Sequence, residues 1–154
     1  MSTLRNVLTQ SQKDGVAVGH FNVASLVMLK AVLGAAAETR VPVLVGASEG
    51  ERDFTGTRQL AVLFRSLREE LDLPAFLNAD HTHSLAKAVE AAKAGFDAVV
   101  IDFSALPSKK TWPVRKRRLK RLKRSIQPFW RRERWVISEP DLKSIMRFRI
   151  CRKV

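Results

Sequence analysis

Ala75-Phe76-Leu77-Asn78-Ala79-Asp80, then Ser84 and the segment Leu85 to Ala94, then Gly95 and Ala98-Val99-Val100-Ile101-Asp102, form the stretch that decides the fold. Both apolar runs are short and end on a carboxylate, the pattern of a strand buried on both faces of a parallel sheet. Between them Ser84 stands where an N-cap belongs and Gly95 where a left-handed C-terminal cap belongs, which makes the intervening segment a helix. The unit is one strand, one helix and the next strand, with a polar group at each strand's C-terminal end.

The same grammar extends toward the N-terminus. Val43-Leu44-Val45-Gly46-Ala47-Ser48 is a nearly continuous apolar strand, and Thr57 to Leu71 repeats helical spacing through Leu60, Leu63, Phe64 and Leu67. Ser25 caps a helix through about Thr39, carried by Leu26, Leu29, Val32, Leu33 and Ala36 and stopped at Val41-Pro42. The run Val16 to Asn22, after the turn dipeptide Asp14-Gly15, reads as the first strand. An amphipathic segment from Thr3 to Lys13 precedes it, placed to plug one end of the sheet.

Four β/α steps predict an α/β architecture with a parallel sheet. The polar residues Asn22, Ser48, Asp80 and Asp102 fall at the strands' C-terminal ends, the edge on which a (β/α)₈ barrel carries its chemistry. An open doubly wound sheet has the same pattern. A dinucleotide site is not indicated, because no Gly-x-Gly-x-x-Gly follows the first strand and Gly19 and Gly46 stand alone.

Composition divides the 154-residue chain in two near Pro107. Residues 1–107 carry 10 Lys/Arg and 12 Asp/Glu, net −2, whereas residues 108–154 carry 18 and 3, net +15. All seven glycines lie at or before Gly95 and no alanine follows Ala105, while Trp112, Trp130, Trp135 and Cys151 lie in the last third. The overall +13 therefore belongs to the tail. No apolar run approaches the roughly 18–20 residues that span a bilayer. Met1 to Gln10 lack the basic start and apolar stretch of a signal peptide, and a single cysteine allows no internal disulfide, so a cytoplasmic location is expected.

His20-Phe21-Asn22-Val23, Val45-Gly46-Ala47-Ser48-Glu49-Gly50, Asn78-Ala79-Asp80-His81 and Ala92 to Asp102 resemble, in collinear order, the class II zinc-dependent fructose-bisphosphate and tagatose-bisphosphate aldolases. The resemblance covers residues 1–107 and implies the N-terminal half of a TIM (β/α)₈ barrel, followed by a basic irregular or helical tail at 108–154. It implies a cytoplasmic lyase of carbohydrate metabolism that cleaves ketose 1,6-bisphosphates to dihydroxyacetone phosphate and glyceraldehyde 3-phosphate. In the family a metal ion polarises the ketose carbonyl and stabilises the enediolate left by carbon–carbon cleavage. By resemblance Asp80 is the acid/base, His81 is a Zn²⁺ ligand, Asp102 is a carboxylate near the metal, and Asn22 and Ser48 line the substrate pocket.

Plainer roles fit the same residues. A strand-end Asp is often a helix cap or loop anchor. His20 on the first strand reads as structural, and His83 as a neighbour of the metal or a loop residue. Asn22 suits satisfaction of strand-end backbone, and Ser48 suits capping of the following segment.

The tail bears on activity. The resemblance implies three zinc histidines, two of them from the later half of the barrel, and no histidine follows His83, so the chain alone is expected to be inactive. Relatives continue Leu-Pro-Phe-Glu-Glu-Asn-Val after the fourth strand. Codons TTC GAA GAA AAC GTG G read one base later give Ser108-Lys109-Lys110-Thr111-Trp112, so a frameshift just past Pro107 accounts for the change in composition. A second reading takes Val114 to Arg124 as a selected basic helix that binds nucleic acid or another polyanion. Half a barrel also exposes strand edges, so aggregation or homodimerisation through them is expected rather than a compact monomer.

Overall fold

The computed structural model describes residues 3–102, 120 and 136–138. The elements run α1 (Leu4–Asp14), β1 (Gly19–Asn22), α2 (Leu26–Thr39), β2 (Val43–Ala47), α3 (Glu49–Thr55), α4 (Thr57–Glu70), β3 (Ala75–Thr82), α5 (Leu85–Ala94), β4 (Ala98–Ile101) and β5 (Val136–Ser138). The strands lie in sequence order in one parallel sheet.

Helix ends follow the cap residues. Thr3, Ser25 and Ser84 accept from the amides of Asn6, Met28 and Lys87, and α5 stops at Gly95 with φ 102°. One helix was not foreseen. Ser48 opens α3 with a capping box, its hydroxyl accepting from the Glu51 amide while the Glu51 carboxylate accepts from the Ser48 amide. Two strand lengths also differ from the expected ones. β1 begins only at Gly19, where pairing with Val43 starts, and β3 runs on to Thr82 through a register shift between Ala79 and Thr82.

Alternation along the strands separates two packed faces. On one, Val43, Val45, Leu77, Ala79, Val99 and Ile101 meet Leu29 and Leu33 of α2, Leu60 and Phe64 of α4, and Ala88 and Ala91 of α5. On the other, Phe76 and Ala98, with Leu44 beside them, pack on Leu4, Val7 and Leu8 of α1. The crossover helices thus share one face and α1 lies across the other, as the plug role for residues 3–13 requires. Strand order without reversal and crossover helices on a single face are the winding of a barrel wall. A doubly wound sheet places helices on both faces and reverses strand order at a switch point.

Val136–Ser138 pair in parallel with Ala98–Val100, within a tail expected to be irregular or helical. The edge of β4 that faces away from β3 offers backbone groups for pairing, and Val136–Ser138 take them up. The other tail residues apart from Lys120, including the rest of the basic run, lie outside the described residues. Among the described residues no helix is long and apolar enough to cross a membrane.

Candidate active site at the strand ends

The face that receives α1 also carries, farther along the strands, a row of polar side chains. His20 and Asn22 on β1, Gly46 on β2, and Asn78 and Asp80 on β3 point the same way, because strand residues two apart share a face. β1 and β3 are not neighbours; β2 lies between them. Even so, the Asn22 amide donates to Asp80 Oδ2 at 3.1 Å, and His20 Nε2 lies 3.2 Å from Asn78 Nδ2. Glycine at 46 makes this reach feasible. A Cβ there would lie 2.3 Å from Asn22 Oδ1 and 2.5 Å from His20 Nε2.

His81 adjoins this row through an irregularity of β3. Successive residues of a regular strand face opposite ways, but His81 has φ 40°, in the left-handed region, inside the register shift. Its Nδ1 lies 2.9 Å from Asp102 Oδ2, and the Asp102 amide donates to Thr82 O at 2.9 Å, tying the end of β4 to the same turn. The hydrogen bond to Asp102, and then the charge of Asp80, raise the His81 pKa above its ordinary value. The imidazole is 61% exposed. With Nδ1 committed to a carboxylate, Nε2 is the ring atom left to bind a ligand, the usual arrangement of a metal-binding histidine.

The expected site residues therefore divide. Asn22 and Asp80 are in direct contact, and His81 and Asp102 form a second pair beside them. Asp102, expected near a metal, has its carboxylate on His81 Nδ1, where it orients the ring. Ser48 spends its hydroxyl on the α3 cap, the plainer of its two roles. His83 turns to Glu49, whose carboxylate accepts from the His83 amide at 2.8 Å. His20, read as structural, lies on an exposed strand and joins the polar row through Asn78. Arg52 and Asn78, both buried, were missed. The Ser48-x-x-Glu51 spacing was the available signal for α3, and hence for placing Arg52 behind the strand ends.

The donor set tests the metal. A catalytic zinc needs about three protein ligands and an open position. Among the described residues no three His, Cys, Asp or Glu side chains gather to hold an ion. His81 fits as one ligand, and the described residues do not complete the set.

A parallel β/α sheet wound in one direction, with carboxylate, amide and imidazole groups collected at its C-terminal edge, defines an enzyme scaffold of the barrel type. Residues 2–125 match the family described as fructose-bisphosphate aldolase class-II, and the chain belongs to that family. The fructose-bisphosphate aldolase of Staphylococcus aureus (strain Mu50 / ATCC 700699) is 33% identical over 108 residues, which is 68% of this chain and 38% of that protein. The D-tagatose-1,6-bisphosphate aldolase subunit GatY of Klebsiella oxytoca is 33% identical over 103 residues, 67% of this chain and 36% of that protein. Among solved structures, the YdjI aldolase of Escherichia coli K12 superposes with a TM-score of 0.70 at 21% identity, covering 90% of this chain and 51% of that one. The fructose-bisphosphate aldolase of Campylobacter jejuni gives 0.67 at 19% identity, covering 88% and 44%. The chain thus has the fold of about half of these aldolases, and spans well under half the length of the relatives matched by sequence. The basic-tail reading finds no support in these comparisons.

Proposed function

We propose that this chain carries the first half of a class II aldolase site, built to take a ketose bisphosphate in the cytoplasm. The observation that carries the reading is the junction of Asn22–Asp80 with His81–Asp102 at one sheet edge, in a chain matching that family over residues 2–125. Asp80 accepts the proton from the substrate hydroxyl at the carbon–carbon bond that breaks, and Asn22 holds one carboxylate oxygen so that the carboxyl plane is fixed. His81, oriented by Asp102, presents Nε2 to the metal, taken to be zinc, whose role when bound is Lewis-acid polarisation of the carbonyl. Asn22 also borders the substrate, and the substrate role assigned to Ser48 is secondary to its cap. The family resemblance implies two further zinc histidines, and no histidine follows His83 in this chain, which is why the 154-residue chain is proposed to be inactive alone. The composition change past Pro107 is attributed to a shifted reading frame.

Assay of the purified chain with fructose 1,6-bisphosphate and added zinc should give no cleavage and no zinc retained through gel filtration. Restoring one base after the Pro107 codon should reopen a longer aldolase-like frame. Its product should cleave the substrate, and Asp80→Asn should lower its kcat by about 10²–10⁴-fold, the usual worth of a positioned acid/base. Turnover by the unrepaired chain, or full activity of the Asp80→Asn enzyme, would refute the assignment.

A further inference from the structure

Among the described residues Arg52 is the bulkiest fully buried side chain, 1% exposed, and it is not one of the groups assigned to the reaction. Its Nη1 donates to the carbonyls of Ala47 and Asp80, the latter at 3.1 Å, and its Nη2 donates to Thr82 Oγ1 at 2.9 Å. The guanidinium carbon lies 5.9 Å from the centre of the buried Phe96 ring. Burial pulls its pKa down, opposed by the charges of Glu49, Asp53, Asp80 and Glu90. A buried cation is costly unless its hydrogen bonds are made, so this one is held for what it binds.

What it binds is the irregular turn of β3. The acceptors at 80 and 82 lie on either side of His81, the residue with φ 40°, within the register shift from Ala79 to Thr82. A left-handed conformation at a residue other than glycine persists only when its surroundings hold it. We propose that Arg52 is the positioning residue of the site, its guanidinium clamping the β3 bulge so that Asp80 stays on Asn22 while His81 turns onto Asp102. A single planar group reaches acceptors on two strands at once, and one lysine ammonium cannot reproduce that fork. The link to catalysis rests on the aldolase reading; the clamp itself does not.

The test therefore reads geometry in the full 154-residue chain. In uniformly ¹⁵N-labelled protein, the proton shared between His81 Nδ1 and Asp102 and the amides of residues 79–83 are followed by NMR in Arg52→Lys, in Thr82→Val and in the control Leu33→Ala. Leu33→Ala destabilises a core position away from the site. Arg52→Lys and Thr82→Val should lose the His81 Nδ1 proton signal and shift the 79–83 amides, whereas Leu33→Ala, read well below its melting point, should leave both in place. Guanidinium at millimolar concentration should restore the parent signals in Arg52→Ala. Parent-like His81 and 79–83 signals in either Arg52→Lys or Thr82→Val would overturn the proposal. If Arg52→Lys does not fold, parent-like signals in Thr82→Val still overturn the proposal, and the guanidinium rescue of Arg52→Ala separates the Arg52 clamp from the bond that Thr82 Oγ1 itself donates to Ala79 O at 3.4 Å. Lack of cleavage by the frame-restored enzyme would instead strike only the aldolase reading.

Discussion

A hydrogen atom in place of a side chain at position 46 lets two strands that are not neighbours share contacts. Asn22 and His20 cross above Gly46 to reach Asp80 and Asn78. Gly46→Ala should sever both contacts, seen as loss of the through-space NMR signals between Asn22 and Asp80. The groups it displaces are the far ends of side chains on an exposed strand, so stability should fall by only about 1 kcal/mol, at the low end of the cost of overpacking. A large loss of stability with the Asn22–Asp80 contact intact would contradict this account. Asn22, Asp80 and Asp102 stand out in the sequence as polar residues ending apolar strands, whereas His81 is singled out only by the family resemblance. Who pairs with whom was not legible, since pairing across an intervening strand depends on register and on what β2 leaves empty.

At the scale of the element, α3 shows how a local signal is overlooked. Seven residues, Glu49–Thr55, form a helix too short to show apolar periodicity, and only the capping box announces it. Ser48→Ala should cost about 0.5–2 kcal/mol in urea unfolding, the usual worth of a lost cap. An unchanged midpoint would return Ser48 to a purely substrate-facing role. The longer helices were legible from spacing and caps: α2 begins at Ser25 and α5 ends at Gly95, as read from the residues alone. Leu33, fully buried on the inner side of α2, should show the larger loss of a core truncation, about 2–5 kcal/mol for Leu33→Ala in the same experiment. Strand limits were less legible. Val16 has the composition of a strand, yet pairing begins three residues later, because the backbone needs a partner and β2 begins at Val43.

For the whole molecule, the decisive feature is the open first edge of the sheet. Every residue of β1 is exposed, and an apolar groove lined by Phe21, Val32, Ala35, Val41 and Val43 runs beside it, with Val27 and Met28 of α2 also uncovered. A parallel sheet normally has both faces and its edges covered, so this side should drive self-association. Sedimentation velocity should show concentration-dependent association of the chain, and Phe21→Lys, which sets a charge on the edge, should reduce it. A sharp monomer at all concentrations with a cooperative thermal transition would overturn that expectation.

The succession of the four β/α steps, the caps at Ser25, Ser84 and Gly95, the charge divide near Pro107 and the identity of the strand-end polar groups were determined by sequence alone, because each is written in local spacing and residue type. The tertiary structure alone decided that the crossover helices share one face, that Asp102 serves His81, and that Arg52 is buried behind the bend of β3. Those outcomes depend on register and burial, which bring together residues far apart in the chain and leave no periodic trace in it.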